Sequence, residues 1–230
     1  MITPVSPPEN HYLKITGESF LQDDGSLKGK FRLEAEGQSD SRFRRYLMGY
    51  PEEKRNEFVV KSLVHMNPLI EITKIDFLNP YNIDEPMYMD VEYFIPEYAA
   101  IQGKFIFEPF VGRFPFSESN VNYFMRFDTG LDQRKYPFRI SSSKQVVLNE
   151  TIHIPADYSI NKLPEFESID NETVCFQSDW KKEDGCIKIK TELKMKKRIY
   201  EKQEYPSFKK ALEGFKESIE AKLLVEGESK

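Results

Sequence analysis

The chain has 230 residues, enough for one large or two small domains, and its 13% aromatic content means that Phe and Tyr carry much of any core. A net charge of −5 speaks against nucleic acid as a main partner. No apolar run approaches the roughly 18 residues of a membrane span, and residues 1–11 lack the basic start and apolar centre of a signal peptide.

Residues 1–11 hold Pro4, Pro7 and Pro8 among polar residues and read as a linker or disordered start. Tyr12 to Leu21 predicts a first strand, and Asp24-Gly25 a two-residue hairpin turn. Leu27 to Gly37 alternates, with Leu27, Phe31, Leu33 and Ala35 inward and Lys28, Lys30, Arg32 and Glu34 outward. Gly29 falls on the inner face, where a bulge or close packing suits it. Ser39 or Asp40 can cap a short helix that Gly49 ends, and Pro51 suits the first turn of a second, with Phe58, Val59, Leu63 and Met66 as its apolar face. Ile70–Leu78, Met87–Ile95 and Ala99–Phe107 predict strands, the last with Gly103 inside it.

Residues 113–133 break the rhythm but carry Phe114, Phe116, Tyr123, Phe124 and Phe127, and read as an aromatic-rich connection. Arg134–Ser141, Gln145–Ile154 and Thr173–Trp180 restart the strands, with Ala156–Leu163 extended between Pro155 and Pro164. From Ile187 to Ile199 apolar or Thr residues alternate with Lys188, Lys190, Glu192, Lys194, Lys196 and Arg198, the pattern of a long strand with one wet face. Phe208, Ala211, Leu212, Phe215, Ile219 and Leu223 then form one helical stripe, and 226–230 is a polar tail. The expected fold is mainly β (α+β): antiparallel, sandwich-like sheets in two halves, 12–112 and 134–225, with a few short helices and a C-terminal amphipathic helix on the sheet.

Nucleophilic catalysis needs Cys or Ser near an oriented His. The histidines are His11, His65 and His153, and the one pairing worth naming, Cys175 with His153, is outweighed by Cys175 packing as a small hydrophobe. Cys175 and Cys186 flank a hairpin turning at Asp184-Gly185 or within Lys181–Asp184, which sets Cys175 opposite Lys194 or Lys190. Two free thiols follow. HExxH, CxxC, Walker A and GxGxxG are absent, and Asp23-Asp24-Gly25 and Asp128–Asp132 read as turns rather than calcium loops. The basic run around Lys188–Arg198 reads as a solvated face before an anion site, and Arg42, Arg44 and Arg45 as partners of Glu34, Glu36, Glu52 and Glu53. The aromatics of 113–138 read as buried before they read as a sugar cleft. No catalytic, cofactor-binding or metal-ligating residue is assigned, no cofactor is implied, and the ligand is left open.

Arg134-Lys135-Tyr136-Pro137-Phe138, Ile154-Pro155-Ala156-Asp157-Tyr158, Lys162-Leu163-Pro164 and Tyr205-Pro206-Ser207-Phe208-Lys209-Lys210, in that order around the long strand, resemble the C-terminal region of transglutaminase-like proteins of Bacteroidetes. Residues 24–66 look like the start of that region, so the resemblance covers about 12–225. It implies a β-rich region of unknown function that follows a papain-like core in a generally exported parent protein. The core's Cys–His–Asp residues have no counterpart here, so no catalytic residue carries over. The implied role is a non-catalytic accessory region that positions the core or its substrate, in the periplasm or cell envelope. A stand-alone envelope module for glycan or peptide is the alternative. A chain beginning naturally at Met1 would instead be cytoplasmic.

Overall fold

The computed structural model describes residues 5–64, 67–101, 104–113, 127, 129–160 and 162–227. The fold is mainly β. Its centre is an eight-stranded sheet in the order β10-β11-β12-β8-β1-β2-β4-β3. The strands are β1 (Tyr12–Leu21), β2 (Leu27–Ala35), β3 (Glu71–Phe77), β4 (Met87–Ile95), β8 (Lys144–His153), β10 (Ile169–Asp170), β11 (Val174–Glu183) and β12 (Cys186–Met195). All neighbours are antiparallel except β1 and β8, whose parallel pairing joins strands from residues 12–112 to strands from residues 134–225.

Alternation decides which face is buried. Leu13 and Ile15 on β1, Phe31 and Leu33 on β2, Met89 and Val91 on β4, and Ile187 and Leu193 on β12 all point into one core. Helix α1 (Gln38–Met48) packs on β1, β2 and β4; α2 (Glu52–Val64) follows it and buries Val59 and Leu63. Helix α3 (Tyr205–Ile219) packs on β11 and β12, burying Phe208, Ala211, Leu212 and Phe215 completely. A smaller sheet, β5-β6-β14-β9, is built from β5 (Ala100–Ile101), β6 (Lys104–Phe107), β9 (Tyr158–Ile160) and β14 (Leu223–Gly227). Two short strands, β7 (Phe138–Arg139) and β13 (Ile199–Tyr200), pair with each other. Among the described residues no helix is long and apolar enough to cross a membrane.

Several expectations need correction. The first hairpin closes through Gln22 to Ser26, not two residues: Gln22 N donates to Ser26 O, Gly25 N to Gln22 O and Ser26 N to Asp24 Oδ1. Neither Ser39 nor Asp40 caps α1. Gly37 stands at that position with φ 60°, while the Ser39 hydroxyl donates to His11 O and the Asp40 carboxylate is held by Arg44 and the Met87 amide. Residues 99–107 are two strands, β5 and β6, folded on each other. The strand starting at Cys186 stops at Met195, because Lys196 N turns to Thr173 O and the chain leaves the ladder. Leu223 is not on the helix: α3 ends at Ile219, and Leu223 pairs with Phe107 in β14, which also takes Glu226 and Gly227 out of the expected tail. His65, Met66, Gly103, Phe114, Phe116, Tyr123, Phe124 and Asp128 lie outside the described residues. Ahead of β1, Pro8–His11 forms a 3-10 turn against the sheet, where Ser143 Oγ donates to Ser6 O and Lys194 Nζ lies 3.0 Å from Glu9.

Candidate binding face

The other face of the large sheet carries mostly polar side chains across its middle; at one edge the Pro8–His11 turn reaches it, where Lys194 Nζ lies 3.0 Å from Glu9. Register aligns its side chains in rows. Asp179, Lys190, Asn149, Thr16, Arg32, Asp90 and Asp76 are successive partners across seven strands. Lys181, Lys188, Thr151, Glu18, Lys30, Glu92 and Lys74 form the next row. At about 4.8 Å per strand each row runs roughly 29 Å. Two concavities lie along them, of about 630 Å³ over β1, β2, β4 and β3, and about 330 Å³ over β11, β12 and β8. Thr16, Gly17 and Thr151 line both, so the two adjoin as one trough.

Cross-strand ion pairs stitch its walls: Lys14–Glu34 at 3.3 Å, Lys30–Glu18 at 3.0 Å, Arg32–Asp90 at 3.0 Å and Lys74–Glu92 at 3.6 Å. Each is exposed and adds little stability, but together they fix where the charged groups stand. In the middle, strands β8 and β1 present Thr16, Asn149 and Thr151, two hydroxyls and an amide, beside Glu18, which pairs with Lys30.

Beneath the trough, on the core side, lies a buried polar cluster. Glu150 is 3% exposed; Ser19 Oγ donates to its Oε1 at 2.7 Å and the Val111 amide to its Oε2 at 3.0 Å. Ser19 Oγ also lies 2.9 Å from the Tyr93 hydroxyl. Burial pushes the Glu150 carboxyl up to about 7 against these donors, and raises the Tyr93 phenol for the same reason. Two glycines make the room. A Cβ on Gly17 would clash with Val111 Cγ2, and one on Gly29 would meet the Tyr93 ring. The cluster ties β1, β4 and β8 to the 108–113 connection. At the start of β8, Lys144 is 1% exposed, and burial together with the Arg42 charge pushes its ammonium down to about 7.

The register separates Cys175 from His153. Cys175 pairs with Lys194, whereas His153 pairs with Cys186, eight residues away along β12 and about 26 Å at the strand rise. The His153 ring lies flat on Phe20 at 4.3 Å and its Nε2 faces Glu18 Oε1 at 3.3 Å. Both cysteines are free and buried, and burial raises the Cys175 thiol. Among the described residues no group of three or more His, Cys, Asp or Glu could hold a metal. Four cations of the basic run meet acids: Lys188 meets Glu183, Lys194 meets Glu9 and Glu192, Lys196 meets Asp170 and Lys197 meets Glu204.

Arg44 does not pair with the glutamates expected of it. It is buried on Asp40 and donates to the carbonyls of Pro80, Asn82 and Glu85, clamping the 79–86 loop. Of the described aromatics of 113–138, Phe127 and Phe138 pack on Phe208, with Arg134 4.6 and 4.9 Å over their rings, whereas Tyr136 is 77% exposed. Glu150 and Lys144 escaped sequence reasoning. Their only signal is an inward parity on β8, shared with Val146, Leu148 and Ile152.

The family model described as "Domain of Unknown Function with solved-structure structure (DUF3858)" matches residues 104–225. No curated protein matches the chain.

Proposed function

The chain belongs to the DUF3858 family, and from that premise we propose that it is a non-catalytic accessory region whose open sheet face receives a substrate or partner on behalf of a catalytic core. The observation that carries this role is the trough itself: a row of fixed polar and charged side chains across seven strands, with two adjoining concavities open along it. Antiparallel sheets commonly leave one polar face to solvent; what supports binding here is that the side chains are pre-positioned by ion pairs beside two concavities, which lowers the cost of ordering them on binding. The separation of Cys175 from His153 by the register also favours binding over thiol chemistry.

The core we infer is transglutaminase-like or protease-like and lies in the same parent protein, in the periplasm or envelope. The ordered motifs between Arg134 and Lys210 support it. A stand-alone envelope module for glycan or peptide is the second reading, favoured by the two adjoining concavities. The test joins this chain to a transglutaminase-like core and compares substrate turnover with that of the same fusion carrying Arg32→Glu and Lys190→Glu. A rise in KM with kcat unchanged is expected, because the face supplies binding and not chemistry. Identical KM values in both fusions would remove the face from the function.

A further inference from the structure

We infer that the trough binds an uncharged, polyhydroxylated chain, a neutral oligosaccharide, laid across the strands; this rests on the open face being the working surface. Three properties of the trough select that class.

The first is charge. The lysines and the arginine that line the two concavities are matched by as many carboxylates, leaving aside the core-side Glu150. Lys14, Lys30, Arg32, Lys74, Lys181 and Lys188 each reach one of those carboxylates. A surface so balanced has no net field to attract a polyanion or a polycation, and a charged polymer would have to break these pairs to make its own.

The second is the floor. Thr16, Asn149 and Thr151 offer two hydroxyls and an amide, groups that both donate and accept, in the middle of the trough. A sugar hydroxyl also donates and accepts, so it can satisfy either partner. The flanking Asp179 and Asp90 accept, and Lys190 and Arg32 donate, at either side of the floor.

The third is what the trough lacks. The outward positions of its two rows carry no Leu, Ile, Met or aromatic side chain that could seat a helix or a hydrophobic anchor, and Phe31 and Val91, which also line the larger concavity, are almost wholly buried. Protein partners draw most of their binding energy from such anchors. A polar chain that follows the rows needs none, and the roughly 29 Å row is long enough for several sugar units. Beside the second row, one outward position past Glu18 on β1, the Phe20 ring is 40% exposed and stacked on His153, a flat apolar surface of the kind a pyranose face covers.

The experiment titrates the full chain by calorimetry with neutral hexasaccharides of differing linkage (cellohexaose, laminarihexaose, xylohexaose, maltohexaose and chitohexaose), and with polygalacturonate and polylysine as charged probes. Saturable binding of at least one neutral probe is expected. It should weaken about tenfold in Thr16→Val/Asn149→Ala, which removes two floor partners. It should be unchanged in Tyr136→Ala, an exposed residue away from the trough. Asn149→Asp keeps the shape while adding charge, and also weakens binding if the floor must be neutral. The inference is overturned if none of the five neutral probes binds, if a charged probe binds more tightly, or if the floor variants bind as the parent does. Failure here with a KM effect still present in the fusions of the preceding section would retire the oligosaccharide and leave the accessory role standing.

Discussion

The Tyr93 hydroxyl occupies the space that Gly29 leaves empty: a Cβ on residue 29 would lie 2.5 Å from the hydroxyl oxygen, 2.7 Å from Cζ and 2.9 Å from the Glu18 carbonyl. The two are direct register partners on β2 and β4, so the absence of one side chain is what admits the other. The phenol can turn away, but the backbone oxygen cannot. Gly29→Ala should therefore lose about 1–3 kcal/mol in urea unfolding, the cost of overpacking. Tyr93→Phe, which keeps the ring and loses the bond to Ser19, should lose about 1 kcal/mol. An alanine variant as stable as the parent would mean that Tyr93 leaves its slot freely.

Glu150 makes stability depend on pH in an unusual direction for a carboxylate. Its folded pKa is raised to about 7 from an ordinary 4.5, so between those values the folded state holds a proton that the unfolded chain has released. Its contribution is complete below about pH 4.5 and is lost as pH rises to 7, by at most about 3 kcal/mol. Glu150→Gln cannot ionise, so the stability gap between parent and variant should shrink from pH 5 to pH 8 in chemical unfolding. A gap constant over that range would place the carboxyl's pKa near its ordinary value.

Gly214 sits mid-helix in α3, where alanine would normally gain about 1 kcal/mol. Here an added Cβ would lie 2.7 and 2.9 Å from the Phe176 ring on β11. The clash outweighs the propensity, and Gly214→Ala should destabilise by about 1–2 kcal/mol. In a Phe176→Leu background the same change should turn neutral or stabilising. Phe215, fully buried beside it, should cost about 3–5 kcal/mol as alanine.

Arg44 is a buried charge that holds a loop. It meets Asp40 at 2.8 Å and donates to three backbone carbonyls of residues 80–85. Arg44→Ala leaves Asp40 and those carbonyls with fewer donors and should cost about 3–5 kcal/mol. Proteolysis should then cut first within 79–86, where Tyr81 and Ile83 are 62% and 81% exposed. Cleavage at that loop in the parent at the same rate would show that Arg44 does not hold it.

What the sequence determined by itself is local. Period-two patterns at Tyr12–Leu21 and Met87–Ile95 became strands with the predicted limits, because inward and outward positions are set residue by residue. The Asp184-Gly185 turn formed where its dipeptide stands, with Gly185 at φ 72°, and fixed Cys175 opposite Lys194. The stripe of α3 was legible to Phe215 and Ile219, but its three–four spacing runs on to Leu223 without marking an end. Two distant strands, β6 and β9, take Leu223 and Val225 into a sheet instead. The trough needed the tertiary structure for the same reason. Its floor brings Thr16 beside Asn149 through a parallel pairing of strands more than a hundred residues apart, and Glu150 is buried only because Gly17, Ser19 and Val111 close around it. Side-chain parity is written along the chain, whereas strand partnership depends on loop closure and packing between remote segments, which no local pattern encodes.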